Sequence, residues 1–335
     1  MENKKERLTY LDVAKGIGIL LVVIGHVYAF NRQIVDRFFV IWLYSFHMPL
    51  FFIISGMLIA YKDEKDIWKF VKKRIKGILI PYVFFSIFSI IVFAIVNDFN
   101  REVFVQNVKA TICGVGIDTL WFLPALFFGE VIFFVLRNLL KNKYVICIIS
   151  AIIYTLGNFM MKDYGLICLF LGRICIAVGF IMIGNYTMNL IRKRNMPWYG
   201  LIVIAILSVI LSKINGLVDL NNLVFNNHIL YLINSLIGTY LIFEISKLID
   251  IDEIMYWGRN TLIVMATHLN IIYILFNKIL GIHSFGYVTG MIVFVLLLAV
   301  ERIIIYVVNR YMPFLMGRKQ KRGIKIWKNR CTLIW

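Results

Sequence analysis

Ten apolar runs, each close to the length that crosses a bilayer, succeed one another along this chain. They cover residues 16–35, 40–60, 78–96, 120–136, 144–160, 165–187, 198–212, 229–248, 261–280 and 286–308. Backbone polar groups in hydrocarbon find no water, so each such run must satisfy its own hydrogen bonds, and the helix is the local way to do so. The expected fold is therefore an all-α integral membrane bundle of about ten transmembrane helices. Composition agrees: 61% of residues are hydrophobic, where a soluble domain has roughly 45–50%. The longest segments on the outer side, about 97–119 and 213–228, are too short to be catalytic domains. Function must come from side chains inside the bundle and at its two faces.

A net charge of +18 would suit a nucleic-acid partner, but its placement suits membrane orientation instead. With the N-terminus in the cytoplasm, 27 of the 36 lysines and arginines fall on the inner side and seven on the outer, while Arg173 and Arg302 lie within runs. That bias predicts both termini cytoplasmic and an even number of spans. The first run lacks a small-residue cleavage site and is expected to be a span rather than a signal peptide. Residues 1–309 form the expected transmembrane domain. Residues 310–335 form a basic cytoplasmic tail, suited to lying on anionic lipid. Five cysteines without a C-x-x-C spacing give neither a disulfide framework nor a zinc site.

Ionisable residues inside apolar runs are costly unless paired or wetted, so they are candidates for function. Glu244, Glu301 and Arg302 lie near cytoplasmic ends, where snorkelling or an ion pair accounts for them. Arg173 fits a bridge between helices, and Glu130 fits a buried partner for it or for a histidine. The sharpest pattern opens the first run. Lys15 and His26 are eleven residues apart, about three full helical turns and ~16 Å along the axis. Asp12 falls near the same line. One helix face thus carries an acid and a base near the surface and an imidazole near the membrane centre. In the second run His47 precedes Pro49, whose missing N–H disturbs the helix around it, and the two histidines are expected to wall a polar cavity. The cluster Lys73, Arg74 and Lys76 that follows serves topology and equally suits phosphates.

At these residues the sequence resembles membrane acyltransferase family 3, integral-membrane O-acyltransferases of bacterial surface sugars, and within it the fucose-4-O-acetylase-like branch. The similar stretches are YLDVAKGIGILLVVIGH (10–26), FHMPLFFIISG (46–56), KRIKGILIPY (73–82), LWFLPALF (120–127) and GRNTLIVMATH (258–268). Lys15 stands where the family's first-span motif has arginine, keeping the charge without the planar fork. The family's R-x-x-R element is matched only by Arg74 and its lysine neighbours. The resemblance implies ten spans in a bacterial cell membrane, cytosolic acyl-CoA (acetyl-CoA foremost) as donor substrate with no bound cofactor, and a glycan or lipid-linked sugar hydroxyl as acceptor.

Acyl transfer to a hydroxyl needs a base for the hydroxyl proton, and a neutral imidazole suits that work near pH 7. His26 is the candidate base or transient acyl carrier, with Asp12 and Lys15 organising the cytoplasmic end of its face. Lys73, Arg74 and Lys76 would hold the donor's phosphates. His47, His268, Trp121 and Glu130 are candidates for the acceptor side. No G-x-S-x-G, H-x4-D or nucleotide-binding glycine loop is present. The rival readings are a transporter or flippase of polysaccharide or lipid-linked sugar, with the histidines coupling protons, and a non-catalytic partner of glycan-assembly enzymes.

Overall fold

The computed structural model describes residues 8–30, 38–160, 164–281 and 285–317. In chain order the helices are α1 (Thr9–Phe30), α2 (Phe38–Tyr44), α3 (His47–Lys62), α4 (Ile67–Arg74), α5 (Ile80–Val96), α6 (Arg101–Ile112) and α7 (Phe122–Leu139). They continue as α8 (Lys143–Phe159), α9 (Leu166–Lys193), α10 (Trp198–Asn215), α11 (His228–Leu248), α12 (Asp252–Arg259), α13 (Thr261–Tyr273) and α14 (Tyr287–Tyr311). Among the described residues the only sheet is a hairpin of β1 (Val218–Asp219) and β2 (Val224–Phe225). Each expected run holds a helix. Among the described residues eight segments are long and apolar enough to cross a membrane, nine when the bent pair α12–α13 is one span, and α8 is a shorter apolar helix of 17 residues. Val83, Ile87, Ile91 and Ile95 on α5, an i, i+4 stripe, are each about half exposed. Water would not tolerate so much open apolar surface, and lipid covers it. This is a multi-pass membrane protein. The basic tail expected over 310–335 lies, from residue 318 onward, outside the described residues.

Contacts between helix ends define two faces. At one, Asp12 meets Arg259, Arg137 meets Asp63, and Lys247 reaches the carbonyls of Ile191 and Arg194. At the other, Tyr28 bonds the carbonyl of Tyr287, His228 bonds Asn158, and Arg173 binds the loop at Asn221. The first is the basic end, where α1 begins.

Three breaks in the helices position the site. The second run is not bent at Pro49 as the sequence suggests; it is broken at Ser45–Phe46, and Pro49 sits in the first turn of α3, where its missing N–H costs nothing. Groups freed at the break are recovered by α11: Asn234 Nδ2 bonds Ser45 Oγ at 3.0 Å and Ser235 Oγ donates to the Ser45 carbonyl at 2.8 Å. Between α4 and α5 a π-turn (Ile75–Leu79) absorbs the disturbance of Pro81 directly after Arg74. Finally, α12 and α13 meet at Asn260 with a bend of 79°. Gly258 of α12 lies so close to the Asp12 carbonyl that a Cβ would not fit, and this contact holds α12 against α1 and carries Arg259 to Asp12.

The expected fates of the other buried charges are partly corrected. Glu244 pairs with Lys247 at 2.6 Å and Arg302 with Glu253 at 2.7 Å, as end-of-helix ion pairs. Glu301, fully buried, is held instead by the Thr267 hydroxyl at 2.8 and 2.9 Å. Arg173 bridges α9 to two loops rather than to another helix: it donates to the carbonyls of Asn221 and Val115. Glu130 partners neither Arg173 nor a histidine, because α7 turns it toward α3 and the end of α4, against Ser55 and Arg74.

Candidate active site

His26, in the last turns of α1, faces His268 of α13. His26 Nδ1 and His268 Nε2 are 2.8 Å apart, and His268 Nδ1 lies 2.7 Å from the Val264 carbonyl oxygen. The rings are within 10° of parallel with centroids 5.0 Å apart, the geometry of an in-plane hydrogen bond rather than a face-to-face stack. A carbonyl can only accept, so His268 Nδ1 carries a proton and donates it. Neutral His268 then offers a lone pair at Nε2, which accepts from the Nδ1–H of His26. His26 is left with its own lone pair on Nε2. The order is set by one backbone carbonyl, and it fixes the tautomer of a ring on the neighbouring helix α1.

His26 borders a cavity of about 270 Å³, whereas fully buried His268 stands behind it. His47 lines the same cavity, its Nδ1 donating to the Leu43 carbonyl at 2.9 Å, which leaves a second Nε2 lone pair free. Tyr44, Asp118, Thr119, Trp121, Asp219, Asn221 and Tyr273 are the other polar residues of the wall. The break before His47 matters here, since it brings Tyr44 and His47 to one side with ring centroids 4.9 Å apart.

Toward the basic end a second, smaller cavity of about 60 Å³ is lined by Lys15, Ser55, Arg74, Glu130 and Arg259. Asp12 bonds Lys15 at 2.9 Å and faces Arg259 at 3.6 Å; Arg74 pairs with Glu130 at 2.7 Å, and the Ser55 hydroxyl donates to Glu130. Lys62, at the end of α3, does not line this cavity, but its ammonium is buried without a hydrogen-bond partner within electrostatic reach of Lys15, Lys73, Arg74 and Glu130. Cations outnumber carboxylates here, which leaves the cavity short of negative charge. Met265 lines both cavities, so one α1 face, through Lys15 and His26, runs past a cationic chamber into a histidine-lined one. Among the described residues no group of three or more histidine, cysteine, aspartate and glutamate side chains is placed to hold a metal ion.

A family model described as an acyltransferase domain, acyltransferase family 3, matches residues 8–307. The chain belongs to this family. It is a membrane acyltransferase. No curated protein and no solved structure matches it.

Within the acyltransferase, the residues singled out from sequence divide between the chambers. His26, His47 and Trp121 line the histidine cavity, with His268 bonded behind His26. Lys15, Arg74 and Glu130 line the basic cavity and Asp12 anchors two of its cations. Glu130 therefore sits with the cations and away from the histidines, where an acceptor role had been expected of it. Lys73 and Lys76 are exposed and line neither cavity. Sequence reasoning missed Lys62, Ser55, Arg259, Asp118 and Asp219. Lys62 ends an apolar run, where snorkelling hides a buried role; Arg259 and the two aspartates stand in segments that look like connections.

Proposed function

We propose that this acyltransferase is a sugar O-acyltransferase of the fucose-4-O-acetylase-like branch. It moves an acyl group, acetyl foremost, from cytosolic acyl-CoA to a hydroxyl of a cell-surface glycan or its lipid-linked precursor. The observation that carries the reading is His26, whose lone pair is aimed by His268 at one cavity while the same helix face lines a cationic one. Phosphates of the donor would dock at the basic end against Lys62, Arg74, Arg259 and Lys15. The pantetheine arm would pass Met265 and bring its thioester to His26. The acceptor oxygen attacks the thioester carbonyl carbon as His26 Nε2 takes the hydroxyl proton; the C–S bond breaks, and the imidazolium returns that proton to the departing thiolate. The products are an ester and free CoA thiol. His47 would position the acceptor from the neighbouring wall. Incubating purified protein with labelled acetyl-CoA and sugar acceptors tests this: labelled ester supports it, and hydrolysis of donor without ester in any acceptor would sink it.

The same reading places the protein in a bacterial cell membrane with ten spans, α8 and the bent α12–α13 pair included, and with both termini cytoplasmic. The charge bias supports it. Reporter fusions after Lys143 and Arg194 and at the C-terminus are expected to report cytoplasm, and fusions at Asn107 and Asn222 the outer side. An outward C-terminus contradicts ten spans.

For the donor, an ammonium buried without a partner gains most from a phosphate. Hydrogen bonds to charged groups contribute about 1.5–3 kcal/mol, so Lys62→Gln is expected to raise the donor KM by ~10-fold or more, and added salt to weaken donor binding in the unaltered protein. An unchanged donor KM would return Lys62 to a topological role.

A further inference from the structure

The histidine cavity holds more than the proposed base needs. Asp118 and Asp219 both line it, and among the described residues no lysine or arginine does. Arg173, within electrostatic reach of Asp219, is engaged with the carbonyls of Asn221 and Val115 and covers the Trp121 ring at 5.1 Å. Asp219 is already occupied within the hairpin, accepting from Asn222 Nδ2 at 2.5 Å and from its backbone N–H at 3.2 Å. Asp118 is not satisfied in this way. Tyr273 is a hydrogen-bonding neighbour of its carboxyl, yet Oδ2 is buried with no hydrogen-bond partner. Its backbone is left-handed, with φ 45°, a strained conformation for a residue with a side chain and one that persists where the surroundings demand it.

An unmade hydrogen bond at a buried carboxylate is expensive. Because a carboxylate oxygen can only accept, the group that completes it must bring a donor. The same wall presents the aromatic rings of Trp121, Tyr44 and Tyr273 beside apolar side chains such as Val22 and Leu269. A polyhydroxylated ring meets both demands, with hydroxyls for the carboxylate and C–H faces for the aromatics. An anionic group does not: a negative charge roughly 6 Å from the Asp118 carboxylate is disfavoured by about 10²-fold even at an effective dielectric of about 20, and Asp219, partly balanced by Arg173, adds to the repulsion.

We infer that Asp118 is an acceptor-binding residue that takes a hydroxyl of an uncharged pyranose, and that the acidity of this cavity turns away acceptors carrying a carboxylate or phosphate beside the reacting hydroxyl. The inference rests on the proposed use of this cavity for the acceptor. It is tested on the full chain in lipid nanodiscs, first without donor. Saturation-transfer NMR is expected to show a methyl hexopyranoside binding and the matching methyl hexuronoside binding at least ~10-fold more weakly. With acetyl-CoA present, Asp118→Asn, which tolerates left-handed backbone, is expected to raise the pyranoside KM by ~10-fold. Its donor KM should stay unchanged, and the gap between the two sugars should narrow. Equal binding of both sugars by the unaltered protein overturns the inference, and so does an unchanged acceptor KM in Asp118→Asn. The first comparison needs no variant and is decisive even where the substitution fails to fold. Selective pyranoside binding with no ester formed supports the acceptor site and instead removes the donor-to-glycan reaction.

Discussion

Purified His26→Gln protein is expected to bind acyl-CoA as the unaltered protein does and to transfer acyl groups at least ~10²-fold more slowly, the usual scale for a missing general base. Glutamine keeps the size and the ability to bond His268 but offers no basic lone pair. The chain from Val264 through His268 to His26 makes a second, graded expectation. His268→Gln still presents an amide oxygen to the Nδ1–H of His26 and should retain part of the activity. His268→Leu removes the acceptor, frees the His26 tautomer and should lose more. The rate is to be read per folded molecule, with monodispersity in detergent as the independent check of folding. Near-normal transfer by His26→Gln means the imidazole is structural. A loss of equal size in His268→Gln and His268→Leu means the tautomer argument is wrong.

Which parts of this arrangement the sequence discloses follows from the distance over which each is set. The spans are legible because a bilayer imposes one length on each, and the sharing of one α1 face by Lys15 and His26 is legible because helical spacing is local arithmetic. Contacts made across the bundle are not. His26 and His268 are 242 residues apart, and nothing in either stretch names the other. Asp118 stands two residues before the apolar stretch Leu120–Phe127, where a polar residue is expected as a connection; only the fold turns it into a cavity wall. Pro49 announces a disturbed helix but not where it falls, since the break is at Ser45–Phe46, where α11 supplies the missing hydrogen bonds. The 79° bend at Asn260 has no proline to signal it, and it is this bend that brings Arg259 to the basic cavity. Basic residues carry the deepest ambiguity. Topology and phosphate binding ask for the same side chains at the same face, and burial alone separates Lys62 and Arg74 from exposed Lys73 and Lys76.

Glu130 decides how that basic cavity is held together without its ligand. It is buried on α7, paired with Arg74 at 2.7 Å and bonded by Ser55. Lys62 lies within electrostatic reach, and Lys15 lines the same cavity. Removing one member of a buried pair strands the other charge, which costs about 3–5 kcal/mol, so Glu130→Gln is expected to be among the most destabilising single changes in the protein. Replacing both partners strands neither, and Arg74→Met with Glu130→Leu should melt higher than Glu130→Gln alone. Donor binding should move the opposite way. With Glu130 neutral, the cavity attracts an anion more strongly, so the protein that survives is expected to bind CoA at least as tightly as before. Thermal loss of monodispersity in detergent, measured with and without CoA, reads both effects, and CoA should recover more stability in Glu130→Gln than in the unaltered chain. A Glu130→Gln protein that melts normally, or that loses CoA binding, would show that the carboxylate does not balance these cations.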